Sequence, residues 1–182
     1  LVIGVETLPA WFRAGGIFEV DLGGTAGQLG IGKSAEPFTH NSIKIAPAIC
    51  YEGLYGDFMG EFVRNGAQIF SVVSNDGWWG DTWGYKYLYA YCRLRAIETR
   101  RGVARSANTG ISGFISPRGE VIGERLEWDE RGVLTESIEL REDITFYTMY
   151  GDWIARIATY VAALALMYYM AYRVKRRNHL VD

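Results

Sequence analysis

The stretch "IAPAICYEGLYGD", residues 45 to 57, ends an apolar run at Cys50 and sets an acid, Glu52, two positions later with Tyr51 between them. A thiol placed where a strand gives way to a turn could, as thiolate, attack a carbonyl and hold the acyl group as a thioester. The N–H groups of the turn, that of Tyr51 among them, are candidate oxyanion donors. A cysteine at the end of a buried strand is also an ordinary small core residue. Residue types and spacing leave both readings open.

A second group of chemistry-bearing residues follows in "SNDGWWGDTWGYKY", from Ser74 to Tyr87. Its tryptophans read either as a turn packed on the core or as an apolar wall for an acyl chain or a bilayer surface. Asp76 and Asp81 have no histidine nearby, so turn capping suits them better than a metal site, and no metal or cofactor is expected. The other cysteine, Cys92, shares a helix face with Leu88, Tyr91 and Arg95 and reads as core. A Cys50–Cys92 disulfide stays open at this stage.

The elements that must position these residues alternate between strand and helix. "SIKIAPAIC" is β-rich, with Pro47 predicting an irregular or bulged strand. "YGDFMGEFVRNGA" predicts a short helix with Asp57 as N-cap and Asn65-Gly66 as its stop. "QIFSVVSND" predicts a second strand, apolar enough for a sheet covered on both faces. Together they form a βαβ unit, so the strands should be parallel and joined by a right-handed crossover. Their C-terminal ends, Cys50-Tyr51-Glu52 and Ser74-Asn75-Asp76, then lie side by side, where parallel sheets collect functional groups. A longer helix is expected over about Tyr85 to Arg101. Short strands with turns at Asn108-Thr109-Gly110 and Pro117-Arg118-Gly119 come next, then a strand and linker over Glu124 to Tyr150. Residues 11 to 40 are Gly-rich and read as a long loop; "GGTAGQLGIGK" lacks the spacing of a phosphate-binding loop.

The 182 residues suffice for one domain with a sizeable core. With 19 basic and 21 acidic side chains the charge is nearly balanced, which removes any bulk electrostatic case for nucleic acid. Two cysteines rule out a zinc ribbon or a disulfide-dense scaffold. The chain begins at Leu1 without a signal-peptide pattern and reads as a piece of something longer.

The C-terminal thirty residues differ in kind. From Ile157 to Tyr172 there is no charged side chain, and with its flanks the run reaches about 20 residues, enough to cross a bilayer core. Trp153, Tyr168, Tyr169 and Tyr172 suit the interfaces, and Arg173, Lys175, Arg176 and Arg177 mark the cytoplasmic end. The preceding domain would then face the periplasm of a bacterium.

"ICYE", "SNDGWWGDT", "RAIETRR", "RSANTGISGFISPRGE" and "FYTMYGDW", followed by a terminal apolar helix, resemble the apolipoprotein N-acyltransferase family, the membrane branch of the nitrilase (carbon–nitrogen hydrolase) superfamily. "GVETLP" and "DLGGTAGQLG" resemble its Bacteroidetes-type members in particular. The resemblance implies an α/β fold, the C-terminal half of a nitrilase-like α-β-β-α sandwich, followed by one transmembrane helix. Its divisions are a partial catalytic domain over 1–150, a transmembrane helix over 151–174 and a basic cytoplasmic tail over 175–182. Also implied is a ping-pong acyl transfer in the bacterial inner membrane. Cys50 would take an acyl chain from a phospholipid donor and pass it to the diacylglyceryl-cysteine amine of an apolipoprotein, in a monomeric enzyme. Glu6 and Glu52 match further catalytic acids, and Tyr51, Asn75, Trp78 and Trp79 are the expected substrate-binding residues. The superfamily's general-base glutamate and its lysine are expected upstream of Leu1, so this piece should be inactive alone, and Lys33, Lys44 and Lys86 match neither role. A nitrilase-type amidase and a catalytically dead lipid-binding module are the alternatives.

Overall fold

The computed structural model describes residues 34–178. The chain divides into two compact units, one ending at Met149 and the other starting at Tyr150. The first unit is built on a six-stranded mixed sheet whose spatial order follows the sequence: β1 (Phe38–His40), β2 (Ile43–Ile49), β3 (Ile69–Ser74), β4 (Gly102–Ala107), β5 (Ser112–Ile115) and β6 (Val121–Leu126). β2, β3 and β4 run parallel, while β1, β5 and β6 join through antiparallel pairings. The parallel strands are linked by helices α1 (Gly56–Arg64) and α2 (Trp83–Thr99). Two right-handed crossovers advancing in one direction place both helices on the same face.

The side-chain alternation of the strands records that one-sided cover. In register, Ala46 lies beside Phe70 and Phe70 beside Val103, all fully buried. One step along, Ala48, Val72 and Arg105 line up on the same face. The alanines of β2 leave room for the helices to approach, and Phe70 fills the space between. On the opposite face Ile49 and its neighbour Val73 are 57 % and 51 % exposed. The α-β-β-α expectation assigns this face to a second sheet; the described residues contain one.

Pro47 does not distort β2. Lys44 accepts the Gln68 N–H through its carbonyl at 2.8 Å, which turns residue 44 towards β3. Strand alternation then turns residues 43, 45 and 47 to the other edge, where β1 has already ended, having paired no further than Ile45. The donor that proline lacks faces no partner strand among the described residues, so the bulge predicted from Pro47 is not needed. β1 itself replaces the end of the loop expected over residues 11 to 40. A two-residue turn with positive φ at Asn41 and Ser42 closes its hairpin with β2.

Helix α1 begins one residue before Asp57, with Tyr55 as N-cap, so Asp57 lies in the first turn and acts on the helix dipole instead of capping. Its stop is as expected. Gly66 adopts φ +94°, and the Ala67 N–H reaches back to the Phe62 carbonyl at 2.9 Å. In α2 the inward residues are Tyr85, Leu88, Tyr89, Cys92, Arg95, Ala96 and Thr99, while Tyr91 is exposed, contrary to its expected place beside Cys92. The second unit holds α4 (Trp153–Asn178), preceded by the short α3 (Phe146–Tyr150). Over Trp153–Arg173 the mean hydropathy of α4 is 1.5, and none of that window is buried, so it has the length and composition to cross a membrane. The helix continues past 174 into residues expected as tail.

Burial makes a direct prediction. Phe70→Ala should lower the unfolding free energy by about 3–5 kcal/mol in denaturant melts. Val73→Thr, on the open face, should change it by about 0.5 kcal/mol or less.

Candidate active site

β2 does not run smoothly into α1. Ile49 is still extended, at φ −110° and ψ 117°, and Cys50 then turns to φ +52°, opening a tight 3-10 turn over Cys50–Leu54. A left-handed residue with a side chain costs about 1–3 kcal/mol and persists only where its surroundings hold it. Part of the hold is visible: Glu52 Oε2 accepts the Ile49 N–H at 2.7 Å, stapling the turn to the strand it leaves. The first N–H groups of such a turn, Tyr51's included, lack carbonyl partners inside it and are candidates to meet developing negative charge.

Next to this elbow, one strand over, β3 ends in a second turn, Asp76–Trp79. Asn75 Oδ1 accepts from the Gly77 N–H at 3.3 Å and from Asn108 Nδ2 at 2.6 Å, while Asn108 Oδ1 receives the Asp76 N–H at 2.9 Å. Asn108 thereby ties the end of β4 to the end of β3. Beneath that tie Asp76 is completely buried. Its carboxylate accepts from Ser74 Oγ at 2.5 Å and from Arg105 Nη2 at 2.9 and 3.2 Å. Arg105 also donates through Nη1 to the Ile111 carbonyl. Gly110 must be glycine to make room, since a Cβ there would stand 1.9 Å from Asp76 Oδ2.

Sequence reasoning missed Arg105, Asn108 and the burial of Asp76. A signal existed: an arginine inside the strand "GVARSA" demands a buried acid, and Asp76 ends the neighbouring strand. The described residues show no cluster of metal-ligating side chains, and Asp81 is engaged by the Tyr85 hydroxyl at 3.2 Å.

The two cysteines separate cleanly. Both are free thiols, so the disulfide left open by the sequence is absent. Cys92 is 4 % exposed, and burial pushes its pKa up, opposed by the nearby Arg105 guanidinium. It stays a neutral core thiol. Cys50 is half-buried at the strand end.

Around Cys50, Tyr51 meets Trp79 edge-on at 6.1 Å, and Trp79 lies flat against Gly84. Burial, with the proximity of Cys50 and Asp76, pushes the Tyr51 hydroxyl pKa up. Cys50, Tyr51, Glu52, Asn75 and Trp79 thus gather at the ends of β2 and β3. Trp78, on the same turn as Trp79, stands 70 % exposed. Glu6 and Lys33 lie outside the described residues. Lys86 holds its ammonium 4.8 Å above the Trp83 ring, and Lys44 sits against Gly66 at the other end of β2. On the open face of the sheet, beside Asn108, a cleft of about 430 Å³ is lined by Ser71, Val73, Ala104, Ser106 and Phe114.

The buried ion pair carries this subsection's prediction. Asp76→Ala leaves Arg105 charged and stranded and should cost about 3–5 kcal/mol. The double replacement Asp76→Leu with Arg105→Met should recover a large part of that loss in denaturant melts.

Comparison with known proteins follows the same lines. The sequence profile of the carbon–nitrogen hydrolase family matches residues 8–144. The apolipoprotein N-acyltransferase of Chlorobaculum tepidum is 38 % identical over 122 residues, covering 67 % of this chain and 23 % of that protein. The apolipoprotein N-acyltransferase of Geobacter metallireducens is 32 % identical over 136 residues, covering 75 % and 26 %. The crystal structure of a carbon–nitrogen hydrolase from Helicobacter pylori G27 superposes with a TM-score of 0.46 at 13 % identity, over 55 % of this chain and 42 % of that one. The chain spans about a quarter of the length of the curated relatives it matches. With well over half of its residues inside the family profile, the chain belongs to the carbon–nitrogen hydrolases.

Proposed function

We propose that this chain carries the nucleophile of an apolipoprotein N-acyltransferase. The observation that carries the reading is Cys50 held at φ +52° where a parallel strand ends, in a chain whose curated relatives bear that name. In the first half-reaction the Cys50 thiolate attacks the ester carbonyl of a phospholipid. A C–S bond forms, the oxyanion meets turn N–H groups such as that of Tyr51, and the C–O bond breaks. The lysophospholipid leaves with a proton supplied by the general acid–base residue. In the second, the α-amine of a diacylglyceryl-cysteine attacks the thioester, a C–N bond forms, the C–S bond breaks and the amine's proton passes to that base.

The base and its lysine belong to the part of the protein before Glu6, with Glu6 as a further acid of the site. Glu52 serves beside the nucleophile by keeping the turn closed. Asn75 and Trp79 contribute to the substrate wall, with Trp78 at its solvent side. α4 anchors the chain in the bacterial inner membrane with its basic end cytoplasmic, leaving residues 1–150 in the periplasm. The active species is the full-length monomer. Because the family profile is that of hydrolases, an amidase that passes the acyl group to water is the competing reading.

Incubation of the full-length protein with acyl-labelled phospholipid should give a hydroxylamine-labile label on Cys50 that chases onto a diacylglyceryl peptide. A label that persists in Cys50→Ala would sink the nucleophile assignment. Free fatty acid without amide formation would select the amidase.

A further inference from the structure

The motif "FYTMYGDW" has so far entered only as a mark of family, yet the structure gives its Tyr147 a location with consequences. Gly56, the first residue of α1, directly follows Tyr55, which closes the Cys50–Leu54 turn through an N–H bond to the Glu52 carbonyl at 3.1 Å. A methyl group added to Gly56 would lie 2.0 Å from Arg95 Nη1 and 2.3 Å from the Tyr147 hydroxyl. The far end of the elbow therefore abuts a guanidinium from α2 and a phenol from the segment after the sheet, with no space between.

Both groups are themselves held. Arg95 is 5 % exposed and pairs with Glu98 Oε2 at 3.0 Å. Thr145 Oγ1 donates to the Glu98 carbonyl at 2.5 Å, and Arg64 Nη1 donates to the Thr148 carbonyl at 2.7 Å. Arg101 Nη1 donates to the Asp143 carbonyl at 2.8 Å. The segment carrying Tyr147 is thus fastened to α1 and α2 on both sides of the tyrosine. Burial and Glu98 push the Tyr147 pKa up, against Arg95, which keeps its hydroxyl protonated and able to donate.

We infer that Tyr147, together with Arg95, is a positioning residue for Cys50: its hydroxyl locks the first residue of α1 and so fixes the turn that aims the thiol. The inference rests on Cys50 being the nucleophile. The contact chain is short and rigid: Tyr147 on Gly56, Tyr55 on Glu52, Glu52 on Ile49, with Cys50 between the last two.

The test reads thiol reactivity and needs no acyl transfer. In the full-length protein, alkylation of Cys50 by iodoacetamide is followed by peptide mass spectrometry, with buried Cys92 as an internal monitor of general loosening. Tyr147→Phe and Gly56→Ala should each slow Cys50 alkylation by about tenfold or more, with Cys92 unlabelled. The double variant should be no slower than the slower single, because both act on one contact. Phe70→Leu, which loosens the core elsewhere, should leave the Cys50 rate within about twofold of wild type. A Cys50 rate unchanged or raised in both single variants overturns the inference, as does equal slowing in Phe70→Leu. A wild-type Cys50 no more reactive than in the urea-unfolded chain removes nucleophile and clamp together. Rapid alkylation that responds to Tyr147, without acyl transfer, refutes the proposed reaction and leaves the clamp standing.

Discussion

The pairing of Asp76 with Arg105 governs how the ends of the parallel strands are arranged. A carboxylate and a guanidinium, each almost entirely out of water, are tolerated only with their remaining hydrogen-bonding capacity largely filled. Ser74 supplies one partner for the acid, and the Ile111 carbonyl one for the base. Those requirements join the ends of β3 and β4 to the loop entering β5. Asn75 and Asn108 then have little freedom, because the backbone on either side of each is already committed. The turn next to Cys50 inherits its shape from a charge pair buried beneath it.

The elbow at Cys50 obeys a different constraint, that of backbone conformation. Side chains along a strand stand roughly perpendicular to the sheet on alternating faces, and the change to φ +52° at Cys50 breaks that alternation where the strand ends. Glycine would make that change at little cost, but glycine lacks the thiol that the proposed reaction uses. The chain accepts a left-handed cysteine and offsets the strain locally, with Glu52 on the incoming strand and with packing against α2 on the outgoing side. The same residue pattern that looks catalytic in one dimension is therefore also a mechanical assembly in three.

Much of this was legible beforehand, for identifiable reasons. The βαβ alternation was readable because apolar runs of strand length are bounded by Gly66 and by the Ser74–Asp76 cluster, and those signals are local. The apolar terminal helix was readable from composition alone. β1 was not, since a three-residue strand leaves no periodicity, and its hairpin uses Asn-Ser in place of a glycine pair. Tyr91 was misplaced because α2 also carries aromatic and apolar residues on its exposed side, Tyr87, Leu94 and Ile97 among them, so spacing alone could not choose its inward face. The Asp76–Arg105 pair and the meeting of Tyr147 with Gly56 join residues far apart in sequence. No window-based pattern reaches across such separations.

Pro47 has a consequence of its own. Beyond Ile45 the outer edge of β2 has no partner among the described residues, and it belongs to one of the most apolar strands of the chain. Such an edge is a template on which a foreign strand can grow. A proline whose ring faces that edge deprives an invader of one ladder bond and blocks close approach at that point. The strand that leads into Cys50 is thereby protected, at its open edge, against pairing with the strand of another molecule.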